Sequence, residues 1–194
     1  MPIPYCICLF LTAHPSPYQE EEVFANDGRL SACGPVSCYT ALVALGVQAS
    51  IENIENQLDW RPGRQVSLER IYCMLQQYPG VCCEATNLDL GELEKLVESD
   101  SCVALVPIRR FGTEIDHIVT VVGTRDERFL VMDFPDEARF RTCEEMKGVW
   151  TGSAIIVRRE GPLPKGIWTN RIALSAVCAV GAALLAIARA RSGS

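Results

Sequence analysis

Cys33-Gly-Pro-Val-Ser-Cys-Tyr-Thr-Ala-Leu-Val-Ala-Leu-Gly46 is the stretch on which the reading of this chain turns. Pro35 suits the first turn of a helix, where a backbone N–H would go unpaired in any case, and Gly46 is a stop signal. The segment therefore predicts a helix that begins at a cysteine. A thiolate at that position faces unpaired backbone N–H groups and the positive end of the helix dipole, so Cys33 is the first candidate nucleophile.

Outward from this helix the patterns change. Ser50 opens a second short helix with Ile51, Ile54 and Leu58 on one face, and Ser67 opens a third that runs to the Pro79-Gly80 stop. Asp89 and Glu92 form a capping-box pattern for a fourth, with Leu90, Leu93, Leu96 and Val97 facing inward. Val- and Ile-rich runs at Val103–Ile108, His117–Gly123, Arg128–Phe134 and Ala154–Arg158 read as strands. Helices first and antiparallel strands afterwards make an α+β domain.

His117 opens the second of these strands, and the segment Thr124-Arg-Asp-Glu127 reads as the loop of a hairpin. A hairpin with its apex at Arg125 puts His117 opposite Asp133, where two side chains share a face with Cβ atoms about 5 Å apart. A carboxylate so placed fixes the imidazole tautomer and leaves the other ring nitrogen for chemistry. Asp116, one step along the strand, points to the other face. A cysteine at a helix start, a histidine and an orienting acid form a nucleophile, a base and an orienter.

Composition limits the alternatives. The chain has 194 residues, of which 48% are hydrophobic and 22% charged, which fits one globular domain and excludes a disordered tail, a collagen-like repeat and a polytopic membrane protein. A net charge of −6 excludes the basic face that nucleic acid requires. All 24 acidic residues precede residue 164, whereas Lys165, Arg171, Arg189 and Arg191 follow it with no acid. There are ten cysteines but no C-x-x-C pair, and the two histidines, His14 and His117, are far apart. Cys6-x-Cys8 and Cys82-Cys83 are poor tetrahedral chelates, so no metal is expected. Whether any cysteines pair as disulfides stays open at this level.

Ile172 to Ala188 is an uncharged run of 17 residues between Arg171 and Arg189. As a helix it would be about 26 Å long, near the short end of what spans a bilayer. It has no polar stripe, and Trp168 lies where interfacial aromatics sit. The expectation is a single-pass C-terminal anchor at residues 172–188, after a linker at 161–171 and before a basic tail at 189–194. The apolar run Tyr5–Leu11 lacks the basic flank of a signal peptide, which leaves the domain on the cytoplasmic side.

Cys33-Gly-Pro with its helix ending at Leu45-Gly46, then Asp116-His117-Ile-Val-Thr-Val-Val, then Leu130-Val-Met-Asp133, resembles the double-glycine leader peptidases. These are papain-like cysteine peptidases, best known as N-terminal cytoplasmic domains of bacteriocin-exporting ABC transporters. The resemblance covers residues 25–160, behind an N-terminal segment of residues 1–24. It implies a papain-like α+β fold and cleavage of a peptide or protein substrate after small residues. It also implies a Cys33–His117–Asp133 triad and no cofactor. The family's oxyanion glutamine, six residues before the cysteine, corresponds to Asp27, which as a carboxylate donates no hydrogen bond; Asn26 is the donor after a one-residue shift. The usual Asp-Pro is Asp133-Phe-Pro135 here. No nucleotide-binding motif is present, so an export role implies a separate membrane exporter as partner. Two other readings fit the same residues: a non-catalytic peptide-binding module, and a transglutaminase-like acyltransferase.

Overall fold

Seven-residue strands that bury every side chain occur only in the middle of a sheet covered on both faces, and Cys102–Ile108 is such a strand. The computed structural model describes residues 32–99, 101–109, 117–133 and 138–161. Its elements run α1 (Cys33–Ala44), α2 (Ile51–Gln57), α3 (Leu68–Leu75), β1 (Val81–Asn87), α4 (Leu90–Val97), β2 (Cys102–Ile108), β3 (His117–Arg125), β4 (Arg128–Met132), β5 (Arg139–Thr142), α5 (Cys143–Val149) and β6 (Ser153–Arg159). The strands form one antiparallel sheet in the order β1-β6-β2-β3-β4-β5.

Two cores lie on the two faces of this sheet. On one face, Leu42 and Leu45 of α1, Ile54 of α2 and Ile71 and Leu75 of α3 pack on Leu105, Val122 and Ile155. On the other, Leu93 and Val97 of α4 and Met146 of α5 pack on Val106, Val121 and Ile156. The predicted capping box forms at Asp89 and Glu92, and a second one forms at Thr142 and Glu145.

Three elements carried too little local signal to be read in advance. β1 buries only Val81 and Cys83, because it is an edge strand with one wet face. β5 is Arg-Phe-Arg-Thr, held by its pairing with β4 rather than by apolar periodicity. α5 is a short helix of about two turns with Met146 as its buried residue. The predicted segregation of helices before strands is therefore softened: β1 precedes α4, and α5 separates β5 from β6.

The hairpin register also differs from expectation. The turn is Asp126-Glu127, with φ of 52° and 58°, so Arg125 pairs with Arg128 instead of forming the apex. Two successive positive φ values are the signature of a turn whose twist matches the strands. Continued without interruption, that register would set Asp133 opposite Thr120, on the face away from His117. The register shifts between Val121 and Gly123, and beyond the shift Thr120 pairs with Met132. The extra residue, Val122, restores the parity. His117 and Asp133 then share a face as diagonal neighbours, not as a directly opposed pair.

α1 is fixed at its carboxyl end. Gly46 takes φ of 67°, and the N–H groups of Gly46 and Val47 donate to the carbonyls of Val43 and Leu42, a Schellman stop. Arg159 of β6 donates from Nη1 to the carbonyls of Leu45 and Gly46, both at 2.9 Å, placing a cation at the negative end of the helix dipole. Arg159→Met is expected to cost about 1–3 kcal/mol by urea denaturation, since charge-assisted bonds are lost. An unchanged midpoint would mean that these carbonyls are satisfied by water instead.

No described helix is long and apolar enough to cross a membrane. The expected anchor, Ile172–Ala188, lies outside the described residues, as do the linker, the basic tail and the N-terminal segment.

Candidate active site

Cys33 is the first residue of α1, half-buried, behind Ala32 at the N-cap. Among the described residues, no side chain caps this end and no acidic residue occupies the first turn, which leaves its N–H groups open to an anion. Among the described residues, seven cysteines are free thiols. Burial pushes the Cys38 thiol well up and the Cys83 thiol to about 12, so both stay protonated at neutral pH. Cys73 and Cys82 are exposed, without a helix start or an imidazole assigned to them. Cys33 is set apart by its neighbour.

That neighbour is His117, at the first residue of β3 and buried. Its Nε2 lies 2.6 Å from Asp133 Oδ1, with both side chains fully removed from solvent. An ionised carboxylate only accepts, so Nε2 carries the proton and donates it. Cys33 lies near enough to the same ring to act on it electrostatically and to help raise its pKa. Nδ1 is the nitrogen left for Cys33.

Asp133 is held by more than the histidine. Arg139 and Arg141 each donate from Nη2 to Asp133 Oδ2, at 2.6 and 2.9 Å. The two arginines alternate along β5, opposite Val131 and Phe129 of β4, which puts them on the face of Asp133. Sequence reasoning missed them. The signal was there in Arg139-Phe-Arg141, two like charges at a spacing that only a strand brings to one side. Their chemical role is plain: a buried carboxylate needs compensating donors, and one oxygen is saturated so that the other faces the imidazole.

Burial by itself would lower the His117 pKa. The bonds to Asp133 and Cys33 and the charges of those partners outweigh it and raise the pKa from 6.5 to about 9. A raised folded-state value stabilises the protein in full below about 6.5, and this stabilisation is lost as the pH rises through about 9. The stability difference between the wild type and His117→Gln should therefore shrink between pH 7 and pH 10, by up to about 3 kcal/mol. Thermal melts across that range decide it: parallel pH curves would mean that the ring is not an imidazolium at neutral pH.

Asn26 and Asp27, the two candidate oxyanion residues, lie outside the described residues, as does Asp116. Among the described residues no group of three or more His, Cys, Asp or Glu side chains could hold a metal ion.

No protein-family model and no curated protein matches this chain by sequence. Solved structures do match it by fold. One is the peptidase domain of Streptococcus ComA, a bifunctional ABC transporter involved in quorum sensing. It is 20% identical with a TM-score of 0.54, and the match covers 69% of this chain and 94% of that one. A second is a double-glycine-motif protease from an AMS/PCAT transporter, solved in complex with the leader peptide. It is 16% identical with a TM-score of 0.53, over 66% of this chain and 84% of that one. A third is the N-terminal C39-like peptidase domain of the toxin secretion ATP-binding protein from Vibrio parahaemolyticus. It is 11% identical with a TM-score of 0.51, over 66% of this chain and 97% of that one. The chain has the papain-like α+β fold of double-glycine peptidase domains.

Proposed function

We propose that this domain is a cysteine peptidase that removes a leader peptide by cutting after small residues of the Gly-Gly type. Cys33 is the nucleophile, His117 the proton carrier and Asp133 the anion that orients it. One observation carries the reading: His117 Nε2 sits 2.6 Å from a buried, doubly anchored carboxylate, while the same ring interacts with a thiol at a helix start. The likeness in fold to a protease solved with its leader peptide supports the substrate class.

The chemistry follows from these positions. His117 already holds a proton on Nδ1 before attack, so the Cys33 sulfur attacks the scissile carbonyl carbon as the thiolate. The negative oxygen that forms is met by backbone N–H at the start of α1, with Asn26 as a second donor where Asp27 has none. The imidazolium returns its proton to the departing amine as the C–N bond breaks, leaving a thioester on Cys33. Water, deprotonated by His117 Nδ1, hydrolyses the thioester and frees the Cys33 thiolate, with the water's proton left on the ring. His117 is protonated at neutral pH, which suits the amine-release step. No cofactor enters.

Residues 172–188 are proposed to anchor the domain to a membrane, with its site on the cytoplasmic side and a separate exporter as partner. The test is single-turnover incubation of the full chain with a leader peptide ending in Gly-Gly and with the same peptide carrying Phe-Phe. Cleavage after Gly-Gly, at least about tenfold faster, is expected from a site built for small residues. Binding of the peptide without cleavage would leave a peptide-binding module. Transfer of the acyl group to an added amine in preference to water would make it an acyltransferase.

A further inference from the structure

A reciprocal pair of hydrogen bonds ties α1 to β3 beneath the site, and neither takes part in the chemistry above. The Ser37 hydroxyl donates to the Ile118 carbonyl at 3.0 Å, and the Thr120 hydroxyl donates to the Ser37 carbonyl at 3.0 Å. Ser37 lies one helical turn beyond Cys33, on the same face of α1. Ile118 follows His117 directly in β3, and Thr120 comes two residues later. Ser37 is 3% exposed and Thr120 0%.

Buried hydroxyls cost free energy unless bonded, and an apolar residue at either position would pack without that risk. What the hydroxyls add is direction. Apolar packing alone lets a helix shift by fractions of an ångström against a sheet, whereas two opposed hydrogen bonds fix both its height and its rotation. The carbonyl of Ser37 has a second lone pair for Thr120, so the tie leaves the helix ladder intact.

We propose that Ser37 and Thr120 are positioning residues that set the separation of the Cys33 sulfur from the His117 ring. This rests on the peptidase reading, in which that separation governs proton transfer. A misplacement of about 1 Å in such a pair costs up to about 100-fold in rate.

The test needs no substrate. Full-length protein is treated with iodoacetamide at pH 7, and alkylation of the Cys33 peptide is followed by mass spectrometry, with a thermal melt beside it. His117→Ala sets the floor. Thr120→Val and Ser37→Ala remove the two bonds independently, and Ser37→Ala leaves a good helix former should the valine variant not fold. Each is expected to slow Cys33 alkylation by about tenfold toward the floor, while Thr120→Ser, which keeps the hydroxyl, stays within about twofold of wild type. Wild-type alkylation in both variants with lower melting temperatures would overturn the proposal and leave the peptidase reading standing. Wild-type protein reacting no faster than His117→Ala would remove the Cys33–His117 pairing, and both readings with it.

Discussion

Cys33→Ala is expected to lower single-turnover cleavage of a Gly-Gly leader peptide by about 10⁴-fold or more. Among the described cysteines, Cys33 is the one that acts on the His117 ring, although Cys143 also begins a helix, α5. Cys38, one turn and a half further along α1, is buried and held protonated, as is Cys83. The exposed Cys73 and Cys82 lie on α3 and β1, away from the helix start that would stabilise a thiolate. The substitution is also mild for the fold, because alanine at the first helical position keeps the backbone and Cys33 is only half-buried. A melting temperature within a few degrees of wild type is expected, so lost activity reads as lost chemistry. Residual cleavage within tenfold of wild type would assign the nucleophile elsewhere.

Asp133→Asn has the second-largest expected effect, a loss of about 10³–10⁴-fold, and the reason lies in the two arginines. Asp133 accepts from Arg139 and Arg141 at one oxygen and from His117 at the other. An amide has one oxygen and one NH₂ group. With both guanidinium groups demanding an acceptor, the oxygen turns toward them and the NH₂ turns toward Nε2. The imidazole must then accept at Nε2 and carry its proton on Nδ1, the nitrogen that faces Cys33. A ring in that tautomer cannot take the thiol proton. It follows that Arg139→Gln and Arg141→Gln, introduced together into Asp133→Asn, should recover part of the activity by freeing the amide to turn back. The measurement is single-turnover cleavage, alongside a melt to show that the variants fold. An Asp133→Asn protein as active as wild type would mean that Asp133 is structural.

Both predictions depend on relations that the sequence carried unequally. Cys33, His117 and Asp133 were legible because their local signals are strong: a cysteine before Gly34-Pro35 and a helix, a histidine opening a Val-rich strand, an acid closing the next one. The route from the hairpin to their pairing was less accurate. Placing the apex at Arg125 ignored both the Asp126-Glu127 turn and the Val122 bulge. Strand faces alternate with period two, and the register at the site differs from the expected one by two residues, so the shared face survived although the direct opposition did not.

By itself the sequence determined the starts of α1 to α4, the stop of α1 at Gly46, the four apolar strands, the α+β class and the three candidate site residues. These follow from contacts between residues a few positions apart: capping bonds, helical and strand periodicity, the backbone limits of Pro35 and Gly46. α3, however, ends at Leu75, short of the expected Pro79-Gly80 stop, and α5 was not read. Tertiary structure alone decided the rest. β5 exists because β4 offers it a partner, and Arg139 and Arg141 matter because that pairing turns them onto Asp133. Ser37 and Thr120 are 83 residues apart, and Arg159 reaches back 114 residues to the end of α1. Such hydrogen bonds leave no periodicity in the chain, because a polar side chain finds its partner only after the apolar residues around it have set the distance between elements.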